Sequence, residues 1–203
     1  MARSEAHYAA MRAATDEKVR AAAVRLFARR GFGGTTMRDV AREAGISPGS
    51  IYRHYETKEE LFATLVGQAT EGLLHLARLF RDNEPPRVIL RRFTTEVLAD
   101  IAGDGEFPEF FLIMNQSFGR QDGPPEIRSL VDAQSAAMNA AQGLISRGQQ
   151  LGEFRRGDPA ELATCFFAAV SGLATMKLAL RGQLVVPGPD VLTAFLIEDN
   201  HDN

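Results

Sequence analysis

The chain has 203 residues, 45% hydrophobic and 24% charged, with a formal net charge of −3, an ordinary balance for a soluble globular protein of one large domain or two small ones. A single cysteine, Cys165, excludes an intrachain disulfide framework and a thiolate-rich metal site, and points to a reducing, cytoplasmic setting. No apolar run of signal-peptide length opens the chain, and the longest uncharged stretch, 162–176, is short and rich in Thr, Ser and Ala, so neither secretion nor a membrane partner is expected.

Apolar spacings of three and four recur throughout, and LVV at 184–186 is the one β-like trace, so the expected fold is all-α. A first helix is expected from about Thr15 to Arg30, with Val19, Ala22, Ala23, Leu26 and Phe27 on one face and GFGG at 31–34 ending it. Thr36, followed three residues later by Asp39, opens a short second helix running to Gly45, whose missing Cβ suits a left-handed turn. Ser47, with Pro48 at the first helical position, opens a third. Thr57 and Glu60 form the capping box of a fourth, continuing through Leu61, Leu65, Leu73, Leu76 and Phe80. Past NEPP, helices are expected at about 86–102, 106–118, 124–151, 158–182 and 188–199, about nine in all, with both termini, MARSEAH and EDNHDN, frayed.

Charge is unevenly spread along these elements. Through Tyr55, 10 Lys plus Arg face 5 Asp plus Glu; beyond it, 13 face 21. A basic first quarter suits an N-terminal part that meets a polyanion, although a solvated basic face has the same composition.

Residues 36–55 read as helix, a turn containing Gly45, then helix, braced by the longer first helix. That is a helix-turn-helix, whose second helix lies in the DNA major groove. Val40, Ala41, Ala44 and Ile46 supply contacts between the pair, and Ile51 is the inward anchor. Outward stand Pro48, Gly49, Ser50, Tyr52, Arg53 and His54, a donor-rich surface with small residues at its N-terminal end. Arg53 can donate bidentately to guanine, Ser50 can contact either base type, and Tyr52 can donate to a phosphate or pack on a thymine methyl. Thr36 and Lys58, each at a helix N-terminus, favour phosphate oxygens, with Arg38 as a third contact. The blander readings make His54 an interface histidine and Tyr52 simple core. GFGGTT lacks the preceding strand and the Gly-Lys-Ser of a nucleotide loop.

Residues 31–62, GFGGTTMRDVAREAGISPGSIYRHYETKEELF, resemble the DNA-binding signature of the TetR/AcrR family of bacterial transcriptional regulators: Gly, Thr, a Val-Ala pair, Ala-Gly-Ile-Ser, Gly, Ile-Tyr, His-Tyr, Lys-Glu, Leu. Elsewhere the likeness rests on length, helical reading and the GEFRRGDPAEL step into the penultimate helix. The resemblance implies a nine-helix, omega-shaped homodimer with helices one to three on DNA and an effector pocket in the C-terminal core. The domains expected are 1–56, tail plus helix-turn-helix, and 57–203, effector-binding and dimerisation. By position, the family's DNA contacts fall on Thr36, Ser47, Pro48, Gly49, Tyr52, Arg53, His54 and Lys58. Many members have Phe after the His; here Tyr55 either fills the same core slot or offers its hydroxyl to a phosphate.

One helix-turn-helix makes few base contacts, so a second copy is expected. In 162–180, Leu162, Phe166, Ala169, Leu173, Met176 and Leu180 form one apolar stripe, and Phe167, Ser171, Ala174 and Leu178 another roughly 140° around. The second, with smaller residues, is the expected dimer face, completed by Val191, Leu192, Ala194, Phe195 and Leu196 of the last helix; burial of both faces within one monomer is the alternative. Phe107, Phe110, Phe111, Met114 and Phe118 also keep helical spacing. They are either ordinary core or, with Met138, Phe166 and Met176, the lining of a cavity for an apolar or aromatic ligand, with Asn115, Gln116, Gln142 and Cys165 as polar handles.

The reading is a homodimeric repressor released from a double-stranded DNA operator by a small effector, with no cofactor and no metal. A DNA-binding or architectural protein without an effector is the alternative. An enzyme is disfavoured, because His7, His54, His75 and His201 fall in no metal or triad spacing and no catalytic motif is visible.

Overall fold

In a computed structural model, which describes residues 2–117, 125–180 and 182–197, helices form where a cap and an apolar period coincide. Among the described residues there are nine: α1 (Ala2–Arg30), α2 (Met37–Glu43), α3 (Pro48–Ile51), α4 (Lys58–Phe80), α5 (Pro86–Ala102), α6 (Phe107–Ser117), α7 (Pro125–Gln150), α8 (Pro159–Leu180) and α9 (Pro189–Thr193). The LVV segment forms no strand. The chain divides by packing into two compact units, one through Gly67 and the other from Gln68, a division that falls inside α4.

In the first unit the predicted face of α1 is the core: Val19, Ala22, Ala23, Leu26 and Phe27 are all buried. Met37, Val40 and Ala41 of α2, Ile51 of α3, and Leu61 and Leu65 of α4 are buried as well, and α1 packs on α2 and α2 on α3. Phe27, Phe32 and Phe62 close a ring triangle with centroids 5.2 to 6.0 Å apart. The expected frayed tail is instead helical from Ala2. Its residues 6–14 are exposed, so the Ala-rich AHYAAMRAA stretch extends the helix by propensity rather than by packing.

The second unit is built on a core that includes Phe80, Ile89, Ile101, Leu144, Phe154 and Leu196. Phe154, in the GEFRRGD loop, packs against the α7 backbone at Gly148, where an added Cβ would come within 2.2 Å of the ring; only glycine fits. The last helix stops at Thr193, far short of 199. The Leu196 carbonyl accepts from the Arg155 N–H (2.9 Å), and an antiparallel bridge pairs Ile197 with Phe154 in place of further helical turns.

Helix α8 corrects the sequence reading twice. Its length and composition reach what a bilayer span requires, yet Ala163, Phe166, Val170 and Ala174 are buried in the protein's own core. The expected dimer stripe also turns inward, since Ala174 is buried and Phe167 packs at 6.4 Å from the rings of both Phe80 and Phe93. The uncovered side carries Cys165, Ala168, Gly172, Thr175, Met176 and Ala179. A helix apolar all round does not declare from spacing alone which side is inside.

Candidate nucleic-acid interface and cavity

The helix-turn-helix is set by local chemistry. Thr36 caps α2 in a full capping box: the Asp39 N–H donates to Thr36 Oγ1 (3.2 Å), and the Thr36 N–H donates to Asp39 Oδ2 (3.1 Å). The Thr36 hydroxyl also donates to that carboxylate (2.6 Å), and these bonds, with Arg42 nearby, hold the Asp39 carboxyl below its ordinary pKa. Gly45 takes the turn at φ +70, a left-handed conformation that costs other residues about 1–2 kcal/mol. Ser47 caps α3 by accepting from the Ser50 N–H (3.2 Å).

Only Pro48–Ile51 is α-helical in α3; Tyr52, Arg53 and His54 continue as a tight turn. The Arg53 N–H donates to the Ser50 carbonyl (3.1 Å) and the His54 N–H to the Ile51 carbonyl (2.9 Å). In a turn of three residues per revolution, positions three apart eclipse. His54 therefore falls on the side of Ile51, the buried anchor, instead of facing outward. Its side chain is 9% exposed, with Nδ1 3.8 Å from Asp16 of α1. Tyr55 follows it into the core, and burial together with a hydrogen bond to Asp16 pushes its phenol up to about 12. Of the two roles open to Tyr55, the core slot is the one occupied. Asp16 also pairs with Arg20, so one carboxylate ties α1 to the end of the recognition segment.

Exposed on this segment are Ser47, Pro48, Gly49, Tyr52 and Arg53, with Tyr52 at 50% and Ser50 half-buried. Arg53 Nη2 donates to Ser50 Oγ (3.0 Å), which steadies the guanidinium without consuming its fork. Thr36 and Arg38 are exposed as well.

Lys58 is placed differently from the expectation. Its ammonium donates to the Phe32 carbonyl (2.7 Å) and the Thr35 carbonyl (2.9 Å) and sits 4.2 Å from the centre of the Phe32 ring. It pins the GFGGTT loop to the start of α4, leaving one hydrogen of three. The cap of α4 also differs from the expected box: Glu60 N–H donates to Thr57 Oγ1 (3.1 Å), but the Glu60 carboxylate accepts from Glu56 N–H (2.7 Å), one residue earlier than Thr57.

The second unit holds a cavity of about 340 Å³. Phe107, Phe110, Phe111 and Met114 of α6 line it, with Asn115 as a polar handle. Phe118 and the Gln116 side chain lie outside the described residues. The other expected lining residues go elsewhere: Phe166 is buried in the core, Met138 packs against that core, and Met176 is 47% exposed. Gln142 and Cys165 do not line the cavity, whereas Phe167 and Ser171, expected at a dimer face, do. Spacing misses the wall formed by Leu73, Leu76 and Leu79 of α4, Phe93 and Val97 of α5, and Gln134 of α7. The i, i+3 run of leucines on α4 is the one signal that could have found it.

A capped helix-turn-helix braced by a long first helix, followed by a helical unit with an apolar cavity, defines a DNA-binding regulator with an appended sensing or assembly unit. The family model described as "Bacterial regulatory proteins, tetR family" matches residues 19–65. The HTH-type transcriptional regulator TtgR of Pseudomonas putida is 32% identical over 168 residues, 78% of each chain. The HTH-type transcriptional repressor BepR of Brucella suis is 30% identical over 195 residues, 91% of each. Among solved structures, a SmeT–triclosan complex matches with a TM-score of 0.61 at 24% identity, covering 92% of this chain and 93% of that one. The chain belongs to the TetR family of bacterial transcriptional regulators.

Proposed function

We propose that the chain acts in the bacterial cytoplasm as a homodimeric repressor that leaves its operator when a small apolar or aromatic molecule enters the cavity. The observation that carries this reading is the continuity of α4. The helix begins at Lys58, tied to the loop before α2, and supplies Gln68, Leu73, Leu76 and Leu79 to the cavity. A ligand that favours one position of α4 thereby biases the recognition segments, provided its affinity differs between the two states. BepR's description as a repressor and the triclosan in the SmeT complex agree with this reading.

On DNA, Arg53, Ser50 and Tyr52 meet base edges and nearby phosphates, while Thr36, Arg38, Ser47, Pro48 and Gly49 approach the backbone. His54 and Tyr55 hold the segment from behind through Asp16. Lys58 keeps one N–H for a phosphate. The second copy packs on the uncovered side of α8, around Ala168, Gly172 and Met176, with Val191 of α9, which is 71% exposed; small residues there allow close helix approach.

Selecting duplexes from a random pool should return a two-fold symmetric site with half-sites roughly 34 to 36 Å apart, or a multiple of it. Arg53→Ala should relax one base position by ~1 to 3 kcal/mol. A pool with no enriched sequence, or one read identically by Arg53→Ala, would sink the assignment of the recognition segment. If no aromatic probe both raises thermal stability and lowers operator affinity, the effector-free alternative takes its place.

A further inference from the structure

We infer that the cavity takes a lipophilic organic cation, a positive centre set among aromatic or aliphatic groups. This rests on the reading of the cavity as a ligand site and specifies the charge of what enters. Glu96 and Asp100, one helical turn apart on α5, both line it, and among the described residues no lysine or arginine does. Neither carboxylate has a hydrogen-bond or ion-pair partner among the described residues. Lys177 of α8 does not line the cavity; it donates to the Ala102 carbonyl at the end of α5 (2.8 Å). His75 is the other titratable group on the lining, and it adds no negative charge.

The walls favour the same sign. Phe107 and Phe111 stand 5.9 Å apart between centroids, and with Phe93, Phe110 and Phe167 they make the lining rich in aromatic rings, a ring's face being the part whose quadrupole attracts a cation. Glu96 and Asp100 are both exposed, so their carboxylates are open to water. A neutral ligand would strip that water and give nothing back, and an anion would add like-charge repulsion. A cation returns a charge partner to each carboxylate and keeps its organic groups on the phenylalanines.

The test uses three probes that share three phenyl groups and differ in charge: methyltriphenylphosphonium, triphenylphosphine oxide and triphenylacetate. Titration calorimetry on the full chain should rank them in that order, the cation binding about tenfold tighter than the neutral oxide. The double variant Glu96→Gln, Asp100→Asn, both at exposed positions, should bring cation and oxide within about twofold, with the cation's own affinity falling several-fold. An oxide that binds as tightly as the cation, or a double variant that keeps the preference, overturns the inference. Phe111→Ala separates the two levels. If the oxide binds, weakens in Phe111→Ala, and shows no disadvantage to the cation, the ligand site stands and the cation falls. If none of the three binds, or binding ignores both Phe111→Ala and the double variant, the ligand-site reading falls with it.

Discussion

Around α3 each exposed side chain stands on a base fixed by short polar ties: the Thr36 and Ser47 caps, the Lys58 brace, and Asp16 gathering Arg20, His54 and Tyr55. Around the cavity the greater part of the wall, phenylalanines, leucines and a methionine, is held by shape rather than by hydrogen bonds. The two regions suit opposite tasks. Reading a groove requires donors fixed to within about half an ångström, whereas an apolar wall tolerates small shifts because dispersion and hydrophobic burial have no preferred direction.

This contrast can be broken at its strongest point first. Ile51→Ala removes the fully buried anchor of α3 and should cost about 2 to 5 kcal/mol in denaturant unfolding. Phe111→Ala, at a half-buried position on the cavity, should cost clearly less. Equal losses would mean that the cavity wall is as tightly specified as the recognition segment. Next, Lys58→Ala leaves the Phe32 and Thr35 carbonyls without their ammonium donor and should lower stability by about 1 to 3 kcal/mol. If Lys58 served mainly as a phosphate contact, stability would hold and only the salt dependence of operator binding would flatten.

The smallest effect lies at alkaline pH. The Tyr55 phenol is raised from 10.0 to about 12 in the folded chain, so the native state holds that proton longer than the unfolded one. Its contribution to stability is complete below pH 10 and is lost as pH rises from 10 towards about 12. Tyr55→Phe should remove this part of the alkaline decline in a series of melts at graded pH. An unchanged decline would show that the hydroxyl makes no such contribution.

Legibility in the sequence follows the same divide. Caps and helix starts at Thr36, Ser47 and Pro86 can be read because their chemistry involves neighbours within three or four residues. The outward face of α3 can be read only in part, since tightening after Ile51 turns His54 inward, a change of helical pitch that residue types do not announce. The role of Lys58 escapes such a reading because its partners lie 23 and 26 residues away in the chain. In the second unit, the α6 stripe reveals half of the cavity, while the α4 and α5 walls look like any core. Helix α8, apolar on every side, hides which of its faces is free.

The Leu73, Leu76 and Leu79 wall of the cavity is cut from one unbroken helix, so it behaves as a screw thread. Substitutions along it leave the thread intact, but one residue inserted or deleted between Leu73 and Leu79 advances the leucines beyond it by about 1.5 Å and turns them by about 100°. Changes of chain length in this stretch are therefore tolerable only in near-whole turns. Relatives that take other ligands should preserve the helical phase of this wall more faithfully than the residues that form it.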